Sequence, residues 1–150
     1  MTLGGFAIGE AQAAGGTPPQ TISLLEVDSS LTGTGGYDIS ATAGPAPGEG
    51  VTFAGTLYRW VGARRGAAVG HVQAVCTVTS RGGGVICEGL VSLPSGTIAL
   101  LGPANPRGGP TDIPVVGGSG AYVGAQGYMR SVAIGGKNST ESADTIHLTS

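Results

Sequence analysis

The stretch Ile113–Ser131, IPVVGGSGAYVGAQGYMRS, decides the fold, because its five glycines admit two opposed readings. A phosphate-cradling loop needs a strand before it and a helix after it, whose N-terminal N–H groups face the phosphates. Gly124 and Gly127 would lie inside that helix and cost it about 1 kcal/mol each relative to Ala. No P-loop lysine follows, and Asp144, which stands twenty residues beyond Gly124, has no βαβ unit around it. The other reading is a strand (IPVV), a glycine bend (GGSG) and a second strand (AYVGAQGYMRS). Glycines there supply positive φ at a turn and let strands bend where a sheet closes.

The rest of the chain favours strands. Short β-rich or alternating stretches separated by Gly, Pro, Ser and Asn occur at Thr21–Val27, Val51–Val61, Val69–Ser80, Gly83–Leu93, Gly96–Leu101, Ile113–Val116, Ala121–Ile134 and Asp144–Thr149. Eight such stretches without a credible helix predict an all-β domain, an antiparallel barrel or sandwich. The connections Asp28–Gly50 and Gly102–Asp112, rich in Gly and Pro, read as rim loops. No internal repeat or second domain is visible. Residues 21–150 form the expected single domain.

Composition sets the limits. The 150 residues suffice for one core, and thirty glycines with one lysine, Lys137, make a turn-rich chain poor in helix formers. A formal charge of −2 with 11% charged residues leaves no electrostatic footprint for nucleic acid. The pair Arg64-Arg65 reads as a solvated loop. No run of eighteen apolar residues exists to form a membrane span. Residues 1–20 combine an apolar stretch, Leu3 to Ile8, with the small-x-small pattern Ala11-Gln12-Ala13, but lack a basic start. They read as a flexible leader or signal-peptide remnant, which favours export over the cytoplasm.

One hairpin can be registered residue by residue. With Arg81-Gly82 as a two-residue turn, Cys76 faces Cys87, Val78 faces Val85, Ala74 faces Gly89 and Val72 faces Val91. That face is apolar or small, whereas His71, Gln73, Thr77 and Glu88 occupy the other. A slip by one would bury the polar set. Both cysteines therefore point inward, either as a disulfide or as two small buried hydrophobes.

The glycine signature GGSGAYVGAQG resembles that of the allene oxide cyclase family and the related dirigent proteins. VTFAGTLYRWVG (Val51–Gly62), VGHVQAVCTV (Val69–Val78) and LLEVD (Leu24–Asp28) are similar to further strands of that family, so the resemblance covers most of Leu24–Ser131. It implies an eight-stranded antiparallel β-barrel of the calycin type around an apolar cavity, with no metal and no organic cofactor. It also implies dimers or trimers. In allene oxide cyclase a polyene epoxide closes under conformational restraint, aided by a first-strand glutamate, a nearby asparagine and a water held by a second asparagine. Glu26 matches the glutamate and Cys76 a pocket-lining cysteine. Asp28 stands at the first asparagine and Gly55 at the second, where no side chain can hold water.

Glu26 and Asp28 share one strand face. Two carboxylates at that spacing either raise one another's pKa, leaving one protonated to act as an acid, or sit at a wet barrel mouth and titrate normally. Candidate pocket residues are Phe53, Tyr58, Trp60 and Cys76. Phe53 has the opposite parity to Tyr58 and Trp60, so without a bulge only one set faces the cavity. The two histidines, His71 and His147, lack metal-ligand spacing, and no nucleophile elbow occurs.

Two functions follow from the resemblance. One is a cofactor-free cyclase or isomerase acting on a lipid- or polyketide-derived polyene of bacterial secondary metabolism. Spirotetronate-forming Diels–Alder cyclases look like smaller barrels of this type. The other is an exported, dirigent-like barrel that binds a small molecule without breaking bonds. Export and a Cys76–Cys87 bridge favour the second, and a reduced Cys76 facing an open cavity favours the first.

Overall fold

The computed structural model describes residues 19–35, 46–81, 84–104, 109–136 and 139–149. Eight strands follow in chain order: β1 (Gln20–Thr34), β2 (Gly50–Val61), β3 (Arg64–Ser80), β4 (Gly84–Leu93), β5 (Gly96–Pro103), β6 (Thr111–Gly118), β7 (Gly127–Ile134) and β8 (Glu141–Leu148). Each runs antiparallel to its neighbour, and β1 pairs with β8, so the sheet closes into an eight-stranded barrel with no free edge. The expected leader lies outside the described residues up to 18, and Gln20 already belongs to β1.

Several boundaries differ from the sequence expectation. β1 runs on to Thr34 instead of ending at Val27. It survives the polar run Asp28-Ser29-Ser30 by a bulge: Asp28 pairs with Gly55 and Ser30 with Ala54, and the Ser29 hydroxyl donates to the Ala54 carbonyl at 3.2 Å. The extra residue reverses parity, so Leu31 comes opposite Phe53 on the inner face. Arg64 and Arg65 open β3 and are not in a loop, and β5 and β6 extend into the expected second rim loop.

The glycine-rich stretch also corrects its own reading. It contains two strands, but the second begins at Gly127, not at Ala121. Gly120 (φ 60°) and Gly124 (φ 74°) turn the backbone left-handed, and between them Gly120–Tyr122 winds into a short 3₁₀ turn. That turn folds Tyr122 and Ala125 under the barrel, where both are buried. They join Leu24, Leu57, Val91, Ile98, Ile146 and Leu148 in a packed core that fills this end. The opposite end stays open at Leu31, half exposed at 50%.

In the β3–β4 hairpin the expected partners hold: Cys76 with Cys87, Val78 with Val85, Ala74 with Gly89 and Val72 with Val91. Past Val78 the register shifts, Ser80 pairs with Gly84, and the connection is longer than a two-residue turn. The sulfurs of Cys76 and Cys87 are bonded to each other.

The closure stretch yields a paired prediction. A Cβ on Gly127 (φ 142°) would overlap the His147 carbonyl oxygen in the facing strand, whereas one on Gly124 meets nothing within 4 Å. Gly124→Ala should therefore cost only the left-handed strain, about 1–2 kcal/mol. Gly127→Ala adds a backbone clash and should cost roughly 3 kcal/mol or more. Thermal unfolding of the two variants measures the difference, and equal losses would contradict the close β7–β8 approach.

Candidate functional site

Alternation along β1 points Leu24, Glu26 and Asp28 into the barrel. Leu24 packs into the filled end, while Glu26 and Asp28 rise above it into a cavity of about 280 Å³. Apolar residues from six strands make most of its wall, among them Val51, Phe53, Val72, Leu100, Ile113 and Met129. Ser131 and Ser142 add two hydroxyls on the side of the carboxyls, and Cys87 and Gly89 bring β4 to the lining. Glu88 contributes at the rim, its side chain exposed on the outer face.

A third carboxyl stands behind these two. Asp144 of β8 pairs with Leu24 of β1 and with Ser131 of β7, whereas Glu26 itself pairs with Ser142. The diagonal from Glu26 to Asp144 is within reach of a glutamate side chain, and the two carboxyls are hydrogen-bonded. Glu26 also hydrogen-bonds to Asp28, and Ser131 to Asp144. Asp144 is almost completely buried at 1% exposure, and Glu26 nearly so at 6%.

Among the described residues no cation faces this cluster. The lining contains no Lys, Arg or His, and the groups around it from β2 and β7 are Phe53, Gly55, Met129 and Ser131. Burial is the main force on Glu26, followed by the hydrogen bond and charge of Asp144 and then those of Asp28, and together they push its pKa up to about 11. Burial also raises Asp28 and Asp144, against the lowering effect of a hydrogen bond with Glu26, whose single proton serves one of them at a time. Glu26 therefore holds a proton at neutral pH and donates it within the cluster. Within the Glu26–Asp28 pair the effect is one-sided: Asp28 helps to raise Glu26, whereas Asp28 itself is raised by burial and lowered by its hydrogen bond with Glu26.

The remaining sequence candidates separate. Phe53 lines the cavity. Tyr58 does not: it lies beside Leu25 and Ala68 on the outward parity, with the Arg65 guanidinium 3.7 Å above its ring. Trp60 lines a separate groove at the filled end, with Ile22, Leu93 and Pro94. The β2–β3 pairing shifts on both sides of Tyr58 without bringing either ring inside. Cys76 reaches the site only through its bonded partner, Cys87. At Gly55 a Cβ would come within 2.8 Å of the Val27 carbonyl oxygen, so that position has no room for a water-holding side chain. Among the described residues no group of three His, Cys, Asp or Glu is arranged to hold a metal ion.

No family profile matches this chain, and no curated protein matches it. Solved structures do. A pyocyanin demethylase superposes with a TM-score of 0.71 at 20% identity, over 87% of this chain and 100% of that one. An exo-specific intermolecular Diels–Alderase gives 0.66 at 18%, over 87% and 97%. A pterocarpan synthase dirigent protein gives 0.65 at 14%, over 91% and 99%. At these identities the likeness shows a shared barrel fold, one that hosts cyclases and dirigent proteins among others.

The raised carboxyl makes stability fall with increasing pH. Between the ordinary glutamate value of 4.5 and about 11 the folded chain keeps a proton on Glu26 that the unfolded chain releases. The folded state thus binds more protons, and raising the pH through this window favours unfolding, by up to roughly 1.4 kcal/mol per pH unit for one group. The unfolding temperature should decline from about pH 5 to about pH 9, and Glu26→Gln should flatten that decline. A flat profile in the parent protein would place Glu26 in water.

Proposed function

We propose that this barrel is a cyclase or isomerase, similar to the allene oxide cyclases, that folds one apolar small molecule for ring closure. The observation that carries the reading is Glu26, a protonated carboxyl inside a cavity that is otherwise mostly apolar. Apolar walls with a few convergent polar groups suit a largely hydrocarbon substrate, and about 280 Å³ is near the lower end for ligand sites. That volume favours one folded molecule over two reaction partners, and hence an intramolecular closure of a lipid- or polyketide-derived polyene or epoxide.

Two effects would supply the rate. Rigid walls hold the reacting carbons in a near-attack arrangement, a gain of several kcal/mol that needs no nucleophile. With substrate bound, the Glu26 hydroxyl turns from its cluster partner and donates its one hydrogen bond to a carbonyl or epoxide oxygen, drawing electron density from the reacting π system. Asp144 and Asp28 keep that proton in place by making ionisation of Glu26 unfavourable. Ring closure of this kind is an isomerisation, so atoms and electrons balance within the substrate.

A second reading has one observation in its favour. The Cys76–Cys87 disulfide suits an oxidising compartment, and with it an exported dirigent-like barrel that binds without catalysis. The bond also leaves Cys76 no thiol to react, so under the cyclase reading the chemistry rests on the carboxyls.

Comparative metabolite profiling of the source organism with and without the gene tests the choice. The cyclase reading expects loss of a product and accumulation of an isomer of identical mass. Complementation sharpens it: Gly89→Leu projects into the cavity from a position where a Cβ makes only ordinary contacts, 3.4 Å from Ala74, and should abolish conversion. Glu26→Gln should slow it by about 100-fold, as expected for a lost general acid. An unchanged isomer balance with the protein expressed would favour the binding barrel.

A further inference from the structure

The carboxyl cluster is incomplete as it stands. Asp28 and Asp144 each have one buried carboxyl oxygen with no hydrogen-bond partner. Buried acceptors are nearly always satisfied, and an unpaired one costs about 1–3 kcal/mol, more when charged. Among the described residues no Lys, Arg or His lines the cavity. A compact metal ion does not answer the deficit either, since no three ligating side chains are arranged around a common point among the described residues. An organic cation needs no such convergence. Its charge is spread over an apolar body of the kind these walls accommodate, and it can bear N–H donors.

The geometry points to a ligand carrying a cationic nitrogen, seated against Asp28 with Asp144 and Glu26 behind it. This rests on the cavity being the substrate site, and it narrows the substrate class within that reading. Asp28 is the direct partner because it lies in the cavity wall, whereas Asp144 is not part of the lining. Asp144 acts at one remove, adding negative potential through Glu26. Phe53, the one aromatic among the described lining residues, supplies a ring on which a cation can rest. The same cluster repels anions, so a carboxylate-bearing substrate is disfavoured.

The proposal carries its own pH dependence. A bound cation stabilises the ionised carboxyls, so binding releases protons and strengthens as pH rises. Among the described residues the titratable groups facing the ligand are Glu26 and Asp28 from β1, with Asp144 of β8 behind them; the Glu88 side chain of β4 points to the outer face, and β2, β6 and β7 bring none to the lining.

A matched set of probes tests this on the intact protein: benzyltrimethylammonium, its neutral isostere neopentylbenzene, and phenylacetate, followed by calorimetry and saturation-transfer NMR. The ammonium should bind about tenfold more tightly than the isostere at about pH 8, with phenylacetate weakest. The advantage should shrink towards pH 5 and vanish in Asp28→Asn, while Glu88→Gln leaves it in place. Gly89→Leu should abolish binding of all probes, which assigns them to the cavity. Equal or tighter binding of neopentylbenzene would overturn the cationic ligand while leaving the cavity as the site. Failure of every probe to bind would overturn the cavity reading itself, and the inference with it.

Discussion

The pairing of β1 with β8 closes the barrel and brings Glu26 of the first strand against Asp144 of the last. With the edges joined, the carboxyl end of the inner face opens near Leu31, which is half exposed. Carboxyls on that face must then be satisfied by one another, by a ligand, or by keeping their protons. The protonated state of Glu26 is thus a consequence of barrel closure as much as of its own position. If β1 and β8 parted, the carboxyls would be hydrated and would titrate in the ordinary range.

The two ends of the barrel divide the work. The 3₁₀ turn at Gly120–Tyr122 tucks Tyr122 and Ala125 beneath the strands, and large aliphatics from β1, β2, β4, β5 and β8 pack on them. This filled half stabilises the fold through buried apolar area. The other half is lined by smaller residues, with Gly55, Ala74 and Gly89 on the inward parity, and so retains a cavity. The β1 bulge at Ser29 belongs to this half: by reversing parity it turns Leu31 inward beside Phe53 and makes the mouth apolar. A molecule entering by this mouth meets apolar side chains first and the carboxyls only below them.

Local patterns could be read from the sequence, and distant pairings could not. The β3–β4 hairpin was legible because one short turn and a small, apolar face fix its register, including Cys76 opposite Cys87. The strand count followed from punctuation by glycine and proline. Glu26 and Asp28 were visible through two-residue spacing and a family resemblance, but Asp144 was missed. Its alternation with Ile146 and Leu148 does mark it as inward-facing, yet its proximity to Glu26 depends on a contact between the chain's first and last strands. Tyr58 and Trp60 looked like pocket aromatics because no local signal says which parity of β2 is inside. Leu57, fully buried at 0% exposure in the core, settles that parity against them. The glycine stretch showed a bend, but the 3₁₀ plug depends on left-handed backbone at Gly120 and Gly124, which composition alone does not locate.

The account stands on Glu26 keeping its proton in the folded protein at neutral pH. Infrared spectroscopy of the parent protein and Glu26→Gln, titrated from about pH 5 to about pH 9, reads this directly through the carboxylic-acid carbonyl stretch. The acid band is expected to persist to about pH 9 in the parent and to be absent from Glu26→Gln. Loss of that band by about pH 6, with carboxylate bands growing in its place, would contradict it and would remove the proton donor on which the proposed chemistry depends.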